Sequence, residues 1–187
     1  MVDDKVLRGT PADRARAAAG ALGDDVLTAW CADLIVGRVA WGAPDLPDAH
    51  WVGGAAVDGW GSPDHLDDDT IYWSRVWAAR TLLYVWDDAC STDVVAGLDD
   101  PAWRVREMCA KVAARWEVGA AGERCAALVV QDGLPRVRAA AARVLGAVGE
   151  AEHAPALHDA FHDAEESVRS AAERALRTLE RRLDRRL

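Results

Sequence analysis

Apolar residues in the second half of the chain recur at the spacing of one helix face. Val105, Met108, Cys109, Val112, Ala113 and Trp116 stand at offsets 0, 3, 4, 7, 8 and 11 from residue 105. Val137, Ala140, Ala141, Val144, Leu145 and Val148 repeat those offsets, and so do Val168, Ala171, Ala172, Ala175, Leu176 and Leu179. Such spacing gathers each set into one stripe of an amphipathic helix. A fourth stripe upstream holds Ala78, Ala79, Leu82, Leu83 and Trp86, with Arg75 at its offset zero. The stripes start at 75, 105, 137 and 168, so the steps are 30, 32 and 31 residues. A period of this length marks a repeat array.

Each clear stripe follows a shorter helical segment. Leu98, Val130 and Phe161 lie seven residues before the starts, and Val94, Ala126 and Leu157 lie eleven before. Asp99-Asp100-Pro101, Asp132-Gly133-Leu134-Pro135 and Asp163-Ala164 supply the turns between. Pro101 and Pro135 fall where a first helical turn tolerates a missing N–H. The predicted unit is therefore a helix, a tight turn and a second helix. One such pair cannot bury its apolar face, whereas stacked pairs share a continuous core.

Upstream, Ala12 to Leu22 predicts a short helix, and Asp24 through about Trp41 a longer one. Leu27, Trp30, Cys31, Leu34 and Ile35 form its main face, widened by Val26, Val36 and Val39. Gly, Pro and Asp punctuate 42–69, a stretch too long to stay structureless inside a compact domain. A divergent helix near 48–58, paired with one over about 70–87, is the expectation. Asp67-Asp68-Asp69-Thr70 would cap the second of these.

Two polar positions keep step with the stripes. Asp100, Asp132 and Asp163 lie five before each start, and Arg106, Arg138 and Arg169 one after it. The pattern D-x-x-x-x-V-R, with small residues following, resembles the HEAT-repeat family, especially its short bilin-lyase-like (PBS-lyase-like) subtype. The resemblance covers about 90–187 and weakens upstream, where Val76 replaces the Arg and Thr70 the Asp. It implies an all-α fold, a right-handed α-solenoid of about four to five antiparallel helix pairs. It also implies that the Asp and Arg form a structural ladder between repeats. The expected organisation is a single solenoid over 1–187, with divergent helices in 1–89 and regular repeats in 90–187.

Composition adds a contrast between the halves. Alanine accounts for 38 of 187 residues, Asn is absent, and Ile occurs twice, a balance that favours helix. Nine Trp stand against one Phe and two Tyr, and eight of the nine lie between Trp30 and Trp103. The net charge of -9 divides unevenly: residues 1–100 carry 18 acids and 7 bases, residues 101–187 carry 13 and 15. That acidity argues against nucleic acid or an anionic membrane as the partner. The longest run free of Asp, Glu, Lys and Arg, Ala49 to Val57, is far too short to span a bilayer. The start of the chain lacks the pattern of a secretory signal. Cys31, Cys90, Cys109 and Cys125 match no zinc or redox spacing and suit a reduced core. The expected location is the cytoplasm.

Enzyme signatures are scarce. Phosphate-binding glycine loops, G-x-S-x-G and H-E-x-x-H are all missing. His158 and His162 are four apart, but flanking acids suit a wet face better than a metal. His50 and His65 lie in the irregular region with no evident carboxylate or cysteine arrangement to recruit them. No catalytic residue, metal or cofactor is expected. Among enzymes built on such repeats, deoxyhypusine hydroxylases use His-Glu dipeptides, which this chain lacks. HEAT-like DNA glycosylases acting on alkylated bases use Trp and Asp on a basic surface. Trp77, Trp86 and Asp87 keep that alternative open, although the Trp-bearing half is the acidic one.

The leading expectation is a non-enzymatic scaffold that binds a protein or peptide of cationic character on its concave face. Stripe offsets 2, 5, 6 and 9 would face outward there. They place Trp77, Arg80 and Tyr84 at an aromatic end, Glu107, Lys111 and Arg143 in the middle, and Arg174 and Arg177 at an arginine-rich end. Ala110, Ala139, Ala142 and Gly146 would form the floor. Packing of Trp77 and Tyr84 beneath the N-terminal region is the competing expectation.

Overall fold

The computed structural model describes residues 2–187. Among these residues there are eleven α-helices, short 3-10 turns and no strand, which makes an all-α solenoid fold. The chain divides into two compact units, Met1–Gly97 and Leu98–Leu187.

The first unit holds α1 (Asp4–Leu7), α2 (Pro11–Leu22), α3 (Asp24–Ile35), α4 (His50–Gly53), α5 (Tyr72–Leu82) and α6 (Ser91–Ala96). Helix α2 starts with a full capping box: Thr10 and Asp13 each accept from the other's backbone N–H, and Pro11 occupies the first turn. Helix α3 stops at Ile35, six residues short of the Trp41 end suggested by its apolar pattern. Gly37 causes the stop. It takes the left-handed φ of +71°, and the Arg38 N–H then folds back onto the Asp33 carbonyl at 2.9 Å. The Arg38 guanidinium fastens this corner by a bidentate bond to Asp93, at 2.8 and 2.6 Å.

Between α3 and α5 the divergent helix shrinks to one turn, α4, continued by a 3-10 turn over Gly54–Asp58. The aspartate cap also sits one turn earlier than its sequence suggests. Asp67 accepts from the Thr70 N–H and hydroxyl at 3.0 and 2.6 Å, whereas the residue that opens α5, Ile71, offers no side-chain cap. Helices α3 and α5 pack together and bury Leu27, Cys31, Leu34, Ala78, Ala79 and Leu82.

The second unit is regular. Its elements are α7 (Trp103–Arg115), α8 (Gly122–Gln131), α9 (Pro135–Val148), α10 (Ala154–Asp159) and α11 (Glu166–Leu183). Helix α9 lies between α7 and α11 in one layer, while α8 and α10 pack in the other. The stripe positions fill the space between layers. Val105, Cys109, Val112, Val137, Val144, Leu145, Val168 and Leu179 are all fully buried. Val130 departs from the sequence expectation and is exposed, because α8 turns Cys125, Leu128 and Val129 inward instead. Gly146 sets the approach of α9 to α11: a Cβ there would stand 2.9 Å from the Ala175 Cα. Small residues thus let the second helices stack closely.

Candidate functional site

The paired Asp and Arg positions meet across repeats in the second unit. Arg106 Nε donates to Asp132 at 2.7 Å. Arg138 Nε and Nη2 donate to Asp163 at 2.7 and 2.9 Å. Each arginine also reaches back to the turn before its own helix. Arg106 Nη1 donates to the Asp100 carbonyl, Arg138 Nη1 to that of Asp132, and Arg169 Nη1 to that of Asp163, at 2.7–2.8 Å. The carboxylates meanwhile cap the same turns, accepting from Ala102, Leu134 and Glu165 N–H groups at 2.7–2.9 Å. The bond from Arg138 holds the Asp163 carboxyl below the ordinary aspartate pKa against the opposing effect of burial. Arg106 with Asp132 and Arg138 with Asp163 therefore join one helix pair to the next, whereas Arg169 donates to the Asp163 and Ala164 carbonyls of its own turn.

Such a stack of helix pairs is a helical-repeat solenoid. Residues 91–177 match the family model of HEAT repeats, and this segment belongs to the HEAT-repeat family. HEAT repeats commonly serve as protein-interaction scaffolds. No curated protein matches the sequence.

The outward positions fare unevenly. Trp77 is only 3% exposed and is a core residue, which removes it from any open groove. The rings of Trp41, Trp60 and Trp73 surround it at centroid distances of 5.5, 5.3 and 6.1 Å. Gly61 makes the room: a Cβ there would meet Trp77 at 2.5 Å, and its carbonyl takes the Trp41 indole N–H at 3.0 Å. Tyr84, beyond the end of α5, is exposed, and Arg80 is partly buried. Ala110, Ala139, Ala142 and Gly146 are buried in helix packing and form no open floor. For the three on α9 the cause is its central place, flanked by both other second helices.

Of the charged outward positions of the second unit, the basic ones reach solvent, whereas the Glu107 side chain is 12% exposed. Lys111 donates to Glu107 at 2.8 Å, one turn away, and Glu107 also lies 3.6 Å from Arg136. Arg143 and Arg174 are exposed, and Arg177 pairs loosely with Glu173 at 3.8 Å. Arg174 and Arg177 line an open depression with Arg181, Arg185 and Arg186 at the end of α11.

The residues behind the DNA-base alternative are engaged locally. Trp77 is core, the Trp86 indole donates to Asp88 at 2.8 Å, and Asp87 accepts from the Ala89 N–H at 2.8 Å. Among the described residues no three His, Cys, Asp or Glu side chains gather to hold a metal, and no helix is long and apolar enough to cross a membrane. All four cysteines are buried and unbridged, and burial pushes the Cys125 thiol up to about 12. None offers a thiolate nucleophile at neutral pH.

Two features escaped the sequence. His50 does have carboxylate partners: Nδ1 meets Asp48 at 2.6 Å and Nε2 meets Asp58 at 2.9 Å. Linear spacing hid them, because Asp58 reaches the ring only through the turn over Gly54–Asp58. Burial opposes protonation, but the bonds to Asp48 and Asp58 outweigh it and raise the imidazole pKa above its ordinary value. The charged clamp therefore stabilises the fold fully below the unfolded-state pKa of histidine, and that contribution is lost as pH rises through the higher folded pKa. Replacing His50 with Gln is expected to flatten the pH dependence of the melting temperature between those two pKa values. Parallel melting curves for the two proteins at every pH would refute the clamp.

The second is Trp60. Its ring is 54% exposed and stands edge-on to Trp73 at 5.5 Å. With Gly59, His65, Asp67 and Thr70 it lines an open pocket of about 500 Å³. Residues 39–74 around it contain seven aspartates and no lysine or arginine.

Proposed function

We propose that this chain is a non-enzymatic HEAT-repeat scaffold that binds a protein or peptide presenting cationic side chains. Trp60 carries the proposal. A large aromatic ring held half in water, above a pocket edged by carboxylate, matches a Lys or Arg side chain in both shape and charge. The ring face attracts the cation, and the surrounding aspartates raise its local concentration. Aromatic anchors of this kind dominate binding energy where they occur. Within the second unit, Lys111, Arg143, Arg174 and Arg177 are candidate contacts for acidic groups of a partner. Buried, unbridged cysteines suit a reducing compartment, so we place the protein in the cytoplasm.

Peptides that differ only in carrying Arg, Lys or Glu at one central position provide the test. Fluorescence titration is expected to show binding of the Arg and Lys peptides, and not of the Glu peptide, weakening as salt rises. Trp60→Ala should weaken that binding about tenfold or more while the circular dichroism melt retains its cooperative transition. Equal binding of all three peptides, or an undiminished affinity in the variant, would count against the proposal. Release of bases from alkylated duplex DNA would replace it with the glycosylase alternative.

A further inference from the structure

The first unit holds one buried and one partly buried arginine without a carboxylate for either. Arg14, on α2, is 8% exposed, and its Nε is enclosed with no hydrogen-bond acceptor. One terminal nitrogen, Nη1, donates to the Gly9 carbonyl at 2.6 Å. The guanidinium is pressed against bare backbone at Gly54, where an added Cβ would stand 2.8 Å from the Arg14 Cζ. Gly54 also takes a left-handed φ of +63°, so the position is doubly suited to glycine. The head group is thereby fixed in place rather than free to swing into solvent.

Arg80 lies on α5, which packs against α2. It is partly buried and close enough to Arg14 for the two charges to repel. Burial depresses the pKa of both guanidinium groups, and for Arg80 the charge of Arg14 depresses it further. The opposing influence on Arg80 comes from Tyr84, one turn along, not from any Asp or Glu. This occurs in a half of the chain that carries 18 acids. A buried guanidinium whose Nε has no acceptor, with a second, partly buried guanidinium near it, forms an arrangement that costs stability unless an anion completes it.

We propose that Arg14 and Arg80 form a binding site for an oxyanion, the terminal phosphate or carboxylate group of a ligand, with the Tyr84 hydroxyl as a further donor. Arg14 supplies the fixed, buried charge. Arg80 is partly buried and Tyr84 exposed, so both remain within reach of a ligand arriving from solvent. The planar fork of a guanidinium suits two oxygens of one anion, which an ammonium would hold less well. The site is separate from the Trp60 pocket and stands or falls independently of the peptide-binding proposal.

The test is thermal unfolding of the full chain in sodium phosphate, sodium acetate and sodium chloride at matched ionic strength. The melting temperature is expected to rise with phosphate or acetate concentration relative to chloride, as it does for any ligand of the folded state. The anion with the larger rise identifies the ligand group as phosphate or carboxylate. Arg80→Gln should weaken the anion response about tenfold or more. In chloride alone the same substitution should leave the melting temperature unchanged or raise it, because Arg14 loses a like-charged neighbour. Arg80→Lys keeps the charge but not the fork, and should retain only part of the response. Identical melting in all three salts would overturn the proposal, and so would an Arg80→Gln protein that is less stable in chloride.

Discussion

Replacing Trp77 with alanine is expected to destabilise the first unit by about 3–5 kcal/mol, the usual cost of removing a large aromatic side chain from a core. The ring is the hub of its cluster. It touches Trp41, Trp60 and Trp73, and Gly61 leaves the space it fills. Its loss opens a cavity whose walls are rigid indoles and glycine backbone, which cannot collapse inward as flexible aliphatic chains would. The tilted packing of the neighbouring indoles against the ring disappears as well, which adds to the cost of the cavity. Tyr84→Ala provides the contrast, since that ring is 40% exposed and should cost less than about 1 kcal/mol. Denaturant unfolding followed by circular dichroism separates the two. A cost for Trp77→Ala as small as that for Tyr84→Ala would return Trp77 to the surface.

The difference between these two residues shows what the sequence could and could not reveal. Stripe arithmetic treats them alike, as outward positions of one helix. That arithmetic assumes a single buried face, and it succeeds in the second unit wherever neighbouring helix pairs supply that face. Val105, Val137 and Val168 are legible as core for this reason. Helix α9 already strains the assumption. Helices on both flanks bury Ala139, Ala142 and Gly146, which a one-face rule assigns to solvent. In the first unit the assumption fails outright, because the segment from Trp41 to Gly61 folds back over the outward side of α5. No local periodicity encodes such a return. It depends on glycines at particular places and on an indole N–H finding a carbonyl twenty residues away. The same long-range dependence hides Trp60, His50's partners and the nearness of Arg80 to Arg14. The Asp–Arg rungs are legible because each repeats at the period of the array itself.

Asp132→Ala is expected to cost about 3–5 kcal/mol in the second unit, the range for breaking a buried ion pair by removing one partner. The Asp132 side chain is 2% exposed and that of Arg106 is 16% exposed. Truncation strands the Arg106 Nε in that enclosed setting. It also frees the Leu134 N–H, which Asp132 caps at 2.8 Å at the start of α9. The two losses can be separated. Converting the pair together, to Arg106→Met with Asp132→Leu, removes the stranded charge and should recover most of the stability. Recovery should stop short of the native value by about 1 kcal/mol, the typical worth of the lost cap. It is reduced further because the Asp100 and Pro101 carbonyls lose the Arg106 Nη1 donor. Asp132→Asn tests the other side, since an amide oxygen can keep the cap while surrendering the charge. It should fall between the native protein and the alanine variant. A double variant no more stable than Asp132→Ala would mean that the capped turn, and not the rung between repeats, carries the residue's contribution.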